Sequence, residues 1–227
     1  MTETLPIFAL GVVLFPGMPL TLHIFEKRYK AMVDDCRKRG TPFGVVLIRA
    51  GNEVGATAST YHVGTAATVS SVRRSKQGNL WLEVTGGRRF RLIGMVKSRP
   101  YPQAEIQWLE EEEETTDRAQ ALASAGLDLF RHLIATEKTL TSEELDRLPY
   151  PADPARAAWL IAACLQVSTP EKQELLETDD PLRRLERIVA VLQRVIEEHR
   201  VLSAVRKNWG VLAPVNASVF QPHRSVN

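Results

Sequence analysis

Apolar and polar positions change rhythm along this chain, from the two-residue alternation of strands in the first half to the three-and-four spacing of helices in the second. Leu20, Leu22 and Ile24 alternate with Thr21, His23 and Phe25, which predicts a strand with one aliphatic face. Tyr29, Met32, Val33 and Cys36 then share one face of a helix predicted over residues 27–39, with Gly40 as its stop. The continuous apolar run Phe43 to Ile48 predicts a strand covered on both faces. Ser75 to Asn79 reads as a hairpin loop, because Leu80, Leu82 and Val84 afterwards alternate with Trp81, Glu83 and Thr85. Gly86-Gly87 reads as a second tight turn, beyond which Phe90 and Leu92 face one way and Arg89, Arg91 and Ile93 the other.

Five carboxylates from Glu110 to Glu114 divide the two rhythms. They repel one another, so the run is expected to be a solvated linker and not core. Beyond it, Leu122, Gly126, Leu129, Phe130, Leu133 and Ile134 form one helical stripe, with Asp117 as its expected N-cap. Thr141-Ser142-Glu143-Glu144 is a capping-box pattern for a short helix ending near Pro149. Asp153-Pro154, Thr169-Pro170 and Asp180-Pro181 each set a capping side chain before a proline at the first helical position, where the missing N–H is not needed. The last helix carries Leu182, Leu185, Val189, Leu192 and Ile196 on one stripe and runs toward Arg206. From Asn208 to Asn227 periodicity is lost and an extended tail is expected. The units are therefore a β-rich one over 1–110, a helical bundle over 117–207 and a tail over 208–227, an α+β organisation.

Composition narrows the function classes. With 44% hydrophobic and 25% charged residues the chain has the balance of a globular protein. Twenty-nine basic residues against 27 acidic ones leave a net charge of +2, far from the basic excess of a typical nucleic-acid reader. Met1-Thr2-Glu3-Thr4 lacks the basic start of a secretory signal, and Pro6, Gly11, Pro16 and Gly17 break the apolar run that follows. A cytoplasmic protein without a membrane segment is expected. Cys36 and Cys164 lie in helical runs and have no C-x-x-C partner, so two buried free thiols are expected.

Candidate chemistry is sparse. His23, His62, His132, His199 and His223 show no spacing that brings four ligands into a tetrahedron, so no metal and no cofactor is expected. His23 near Glu26 reads as an ordinary surface histidine, and Glu83 and Glu105 sit within strands. No catalytic residue is assigned. Phe15-Pro16-Gly17-Met18-Pro19 is a stiff apolar turn. Either its Phe15 and Met18 stand exposed and bind unstructured polypeptide, or they plug the end of the β-rich unit or its junction with the helices. Tyr101-Pro102 repeats that ambiguity.

The order Leu5 to Tyr29, with Phe15-Pro16-Gly17, His23-Ile24-Phe25-Glu26 and Arg28-Tyr29, then Phe43 to Ile48, Val63-Gly64-Thr65, Gly86 to Leu92 and Tyr101 to Glu105, resembles the amino-terminal substrate-recognition domain of Lon proteases. The resemblance implies a partly closed antiparallel PUA-like β-barrel with one inserted helix, followed by a helical bundle. The chain contains no G-x-x-x-x-G-K-[ST] loop and no recognisable serine nucleophile elbow, so a free-standing, non-enzymatic member is expected. The implied function is binding of exposed apolar segments of unfolded polypeptides, with a protease or chaperone as further partner. Phe15, Pro16, Met18, Phe25, Tyr29 and Tyr101 are the candidate binding residues, set in a crevice between barrel and helices. The alternative is RNA binding through Arg73, Arg74 and Lys76 at one hairpin and Arg88, Arg89 and Arg91 at the other, provided that no acids intervene.

Overall fold

The computed structural model describes residues 3–51, 59–96, 100–111, 116–137, 143–144, 147 and 149–208. Its strands are β1 (Glu3–Leu10), β2 (Pro19–Ile24), β3 (Phe43–Ala50), β4 (Ser59–Arg74), β5 (Leu80–Val96) and β6 (Gln103–Trp108), with helix α1 (Lys27–Arg39) between β2 and β3. They form one six-stranded sheet in the order β2-β5-β4-β3-β1-β6, and β6 also pairs with β5. The ring β5-β4-β3-β1-β6 thus returns on itself, while β2 hangs outside it on the first half of β5. Most pairs are antiparallel, but β1 and β3 run parallel, Ile7 opposite Gly44. Linked hairpins alone do not predict that pair, because its strands are separated in sequence by β2 and α1.

Local rules account for most elements. Tyr29, Met32, Val33 and Cys36 are the buried face of α1, and Gly40 ends it at φ 66°, where its N–H bonds back to the last turn. These side chains join Phe8, Leu22, Ile24, Phe43, Val45, Leu80 and Leu82 in the core inside the sheet. Gly86-Gly87 is not a turn. Both residues lie inside the continuous strand β5, where Thr65 pairs with Arg89 and Ala67 with Gly86. One extra residue on β5 makes a bulge, which lets a single strand bend from β2 toward β6. A side chain on Gly86 would press into the Phe15 carbonyl. The strand and the Phe15-Pro16-Gly17 turn are instead stitched by Gly17 N–H to the Gly86 carbonyl at 2.8 Å and Gly86 N–H to the Met18 carbonyl at 2.9 Å.

The helical layer comprises α2 (Asp117–Glu137), α3 (Pro154–Cys164), α4 (Thr169–Glu177) and α5 (Pro181–Asn208). Asp153 accepts from the Ala155 and Arg156 N–H groups, and Asp180 from those of Leu182 and Arg183, as their sequence context predicts. Two caps differ from expectation. Thr116, not Asp117, accepts from the Ala119 N–H at 3.2 Å, and Ser168, not Thr169, caps α4 in a capping box with Glu171. Each stands one residue earlier and still leaves the cap three residues from its donor or partner. Cys164 is exposed while Cys36 is buried, so only one of the two thiols is core. The short helix expected from Thr141 falls mostly, and the tail beyond Asn208 wholly, outside the described residues. No helix of the described residues is long and apolar enough to cross a membrane.

Sheet and helices are joined by an apolar knob and by a buried ionic cluster. Phe15, 1% exposed, leaves the sheet side and enters the helical core, its ring 5.8 Å from that of Trp159 on α3. Beside it the guanidinium of Arg184 on α5 stacks 3.7 Å over the Trp159 ring, and that of Arg89 on β5 lies at 5.4 Å. Both arginines are wholly buried, and both bond to Glu111, the second residue of the acidic run. Glu111 is exposed, as expected of the run, yet its carboxylate reaches in between two charges that water does not reach. Arg89 also donates to the Leu176 carbonyl at 2.7 Å, and Arg184 to the Thr178 carbonyl at 2.8 Å, so the end of α4 is tied into the same cluster. Burial pulls Arg184 down to about 10, with Glu111 pushing the other way. It stays charged at neutral pH. Its folded value lies below the unfolded one, so that charge opposes folding below pH 10 and its bonds must offset the cost.

Two stability predictions follow from this junction. Glu111→Ala leaves both arginines buried without their shared counter-ion and should cost about 3–5 kcal/mol. Gly86→Ala should cost on the order of 2–3 kcal/mol, because the obstructing atom is backbone and cannot rotate away. Urea denaturation of each variant checks these values; a loss below about 1 kcal/mol in either would contradict the geometry.

Candidate functional site

The helical layer lies against one face of β4 and β5, the face that also carries Ala67, Leu80 and Leu82. Near Val63, Thr65 and Arg89 that face is buried under α3 and α4, where Gln173 Nε2 donates to the Val63 carbonyl at 2.9 Å. On the first half of β5 and on β2 the opposite face is bare. Strand alternation sends Leu22, Ile24, Leu80 and Leu82 inward there, and leaves His23 and Trp81, which face each other across the strand pair, outside. Their rings stack with centroids 4.5 Å apart, and the ring of Phe25, just past the end of β2, lies 5.9 Å from that of His23. Phe25 is 50% and Trp81 45% exposed. Three rings in a row on an open strand pair offer flat apolar area at little ordering cost, since each ring has only two side-chain torsions to fix.

The sequence-selected residues divide sharply. Phe25 is exposed and belongs to this patch. Phe15 is buried at the sheet–helix junction, Met18 is half-buried against the same core, and Pro16 is half-buried between them. Tyr29 is buried against Phe8, ring centroids 4.2 Å apart. Tyr101 is buried too, its hydroxyl donating to Asp35 at 3.0 Å, and burial together with that bond pushes its phenol up. Of the two possibilities for the Phe15 turn, the structure has the plug. A short turn can bury Phe15 because the partner surface comes from helices more than a hundred residues later, including Trp159. The expected crevice between sheet and helices is filled by Phe15, Trp159 and the arginines.

His23 and Trp81 were not among the expected binding residues. The available signal was Trp81 at a polar-phase position, alternating with Leu80 and Leu82 beside Glu83. A large aromatic in the solvent-facing phase of a strand calls for a reason.

Four of the five arginines selected for an RNA surface are buried or paired with carboxylates. Arg89 is inaccessible, Arg88 bonds Glu110 at 3.0 Å, Arg91 bonds Asp179 at 3.1 Å, and Arg73 lies 3.7 Å from Glu83. Arg74 and Lys76 are exposed near the turn that precedes β5. Acids are thus present beside both groups of arginines, and the α4–α5 junction supplies one of them. Among the described residues no group of three or more metal-ligating side chains converges.

Two other apolar regions are exposed. Ile93, Met95 and Val96 lie at the far end of β5, and Val201, Leu202 and Val205 lie on the last turns of α5. A groove of about 440 Å³ between α2 and α5 is lined by His132, Leu133, Thr136, Ile196, His199 and Arg200, among others. Arg200 is engaged there by Glu197 at 2.8 Å.

A mixed six-stranded sheet with one inserted helix, braced by a helical layer through buried ion pairs, defines an α+β domain of a specific kind. The chain belongs to the family of the ATP-dependent protease La (LON) substrate-binding domain, whose model matches residues 4–194. It is 29% identical over 206 residues to the Lon protease of Roseiflexus castenholzii, covering 90% of this chain and 25% of that one. With the Lon protease of Anaeromyxobacter dehalogenans it shares 31% identity over 209 residues, 89% of this chain and 25% of that protein. The chain thus spans about a quarter of the length of these curated relatives. The crystal structure of a Lon N-terminal domain protein from Xanthomonas campestris superposes with a TM-score of 0.60 at 30% identity, covering 83% of this chain and 98% of that one. The N-terminal domain of the Mycobacterium avium complex Lon protease shares the fold, with a TM-score of 0.68 at 19% identity over 84% of this chain and 98% of that one.

Because the patch rings pack on few neighbours, the double variant His23→Ala, Trp81→Ala should lose no more than about 1 kcal/mol of stability. A thermal or urea melt reads this directly. A larger loss would make the rings structural.

Proposed function

We propose that this domain is a non-catalytic recognition module that holds exposed apolar segments of other polypeptides on the His23-Phe25-Trp81 patch. The observation that carries the reading is the pair of ring contacts that His23 makes with Phe25 and with Trp81 on a sheet face that the helical layer leaves bare. Unfolded chains expose aromatic and aliphatic side chains, and stacking them on pre-positioned rings removes apolar area from water on both sides. Membership in the substrate-binding family supports the same partner class. On this reading residues 1–110 act as a PUA-like barrel unit that presents the patch, and residues 117–207 as a bundle that braces it. The work is done in the cytoplasm, and delivery to a protease follows capture. The pairing of the arginines with Glu83, Glu110 and Asp179 weighs against RNA as the partner.

The test is binding of the purified chain to an array of unrelated peptides, with single-stranded RNA alongside at physiological salt. Retention on aromatic and aliphatic peptides should fall at least roughly ten-fold in Phe25→Ser, Trp81→Ser, given about 1–3 kcal/mol per interface aromatic. Phe15→Ser is the contrasting variant, expected to lose stability before it loses a contact with any peptide. Retention on RNA alone, or peptide binding indifferent to Phe25 and Trp81, would sink the proposal.

A further inference from the structure

β2 is the end of the sheet order, paired with β5 on one side only. The Gly86 N–H to Met18 carbonyl bond sets the parity of that pair, and Leu20 opposite Val84, Leu22 opposite Leu82 and Ile24 opposite Leu80 follow in the bonded phase. The main-chain groups of Thr21 and His23 therefore point to the other side. Among the described residues none bonds to them. Pro19, at the start of the strand, has no N–H to offer. An open edge of this kind is a template for another strand. The same two residues whose backbone faces the open edge carry their side chains on the outer face, so the edge and the aromatic patch are contiguous at His23.

We infer that the free edge of β2 takes an extended segment of the client polypeptide as an added strand, with every second client side chain on the outer face and one of them continuing the His23-Trp81 row. The occupant follows from two features. The edge offers two outward N–H and two outward C=O groups at Thr21 and His23, which only an extended backbone satisfies together. Neighbouring rows of the outer face specify what should lie along it. His23, Trp81 and Arg73 lie side by side across three strands, and so do Thr21, Glu83 and Ser71. An aromatic or aliphatic client residue beside His23 extends the ring stack, and such residues alternate with ones that point to the opposite face, because the positions beside His23 and Thr21 lie two apart. The inference rests on the patch being a polypeptide site and adds the backbone mode of capture, which tolerates many sequences because main-chain groups are common to all of them.

The probe is a fluorescein-labelled nonapeptide in which phenylalanine and threonine alternate between terminal lysines, titrated by polarisation against the full chain. Two N-methylated versions block either the phenylalanine or the threonine amides. An added strand directs only alternate amides at its neighbour. One methylated set should bind roughly ten-fold or more weakly and the other like the parent, the phenylalanine set if the added strand is antiparallel and the threonine set if it is parallel. Thr21→Pro, which removes one outward N–H without touching the β5 side, should weaken the parent peptide by a similar factor, while Thr21→Ala should not. If both methylated peptides bind like the parent while Phe25→Ser, Trp81→Ser still abolishes binding, edge pairing is wrong and the patch reading stands. If that double variant also binds normally, the patch reading itself fails. A wild-type dimer that Thr21→Pro makes monomeric, with peptide affinity unchanged, would show that the edge pairs with a second copy and would overturn the client strand. The methylated peptides are read on the wild-type protein, so the outcome does not depend on Thr21→Pro folding.

Discussion

Two arginines stacked on one tryptophan and separated by one carboxylate hold this molecule together. Arg89 comes from β5, Arg184 from α5, Trp159 from α3 and Glu111 from the segment after β6, and the carbonyls at the end of α4 complete the set. Such a cluster is costly to bury and tolerates little displacement, because any shift leaves a charge without its counter-ion. It fixes where the helical layer sits on the sheet more strictly than aliphatic packing would. The apolar part of the junction, Phe15 among the helical core residues, supplies burial worth about 1.5–3 kcal/mol without the same positional demand.

That placement also decides which part of the sheet can meet a partner. The bulge in β5 turns the strand between two environments, one half under the helices and one half open beside β2. Arg89 and Trp81 stand on the same strand, but the extra residue of the bulge puts them on opposite faces. One is sealed at 0% exposure and the other is 45% exposed. The sealed half is charged and internally compensated, whereas the open half is aromatic and internally stacked. Recognition of apolar chain segments suits the second and not the first.

Much of the fold is legible from local pattern. The inward face of α1, the alternation of β2 and of the first half of β5, the turn at Ser75 to Asn79 and the caps at Asp153 and Asp180 depend on neighbours within a few residues, so their physics is written locally. The Gly86-Gly87 pair misleads because glycine serves both turns and bulges, and the choice depends on how the partner strand β4 is aligned. The parallel β1–β3 pair is invisible for a similar reason: nothing in either run states the direction of its neighbour.

The candidate site was half legible. Phe25 belongs to it, but Phe15, Tyr29 and Tyr101 are core, and His23 and Trp81 complete it. Alternation specifies which side of a strand a residue takes, since that is backbone geometry. It does not specify what covers that side. The sequence by itself determined the family, the elements, their inward faces and most of their ends, because these follow from periodicity, caps and motif order. Only the tertiary structure decided that Arg89 is interior and paired with Glu111, that Phe15 is a plug and that the rings beside β2 stay open. Those outcomes depend on the docking of helices distant in the chain, and burial is a property of the surfaces that meet.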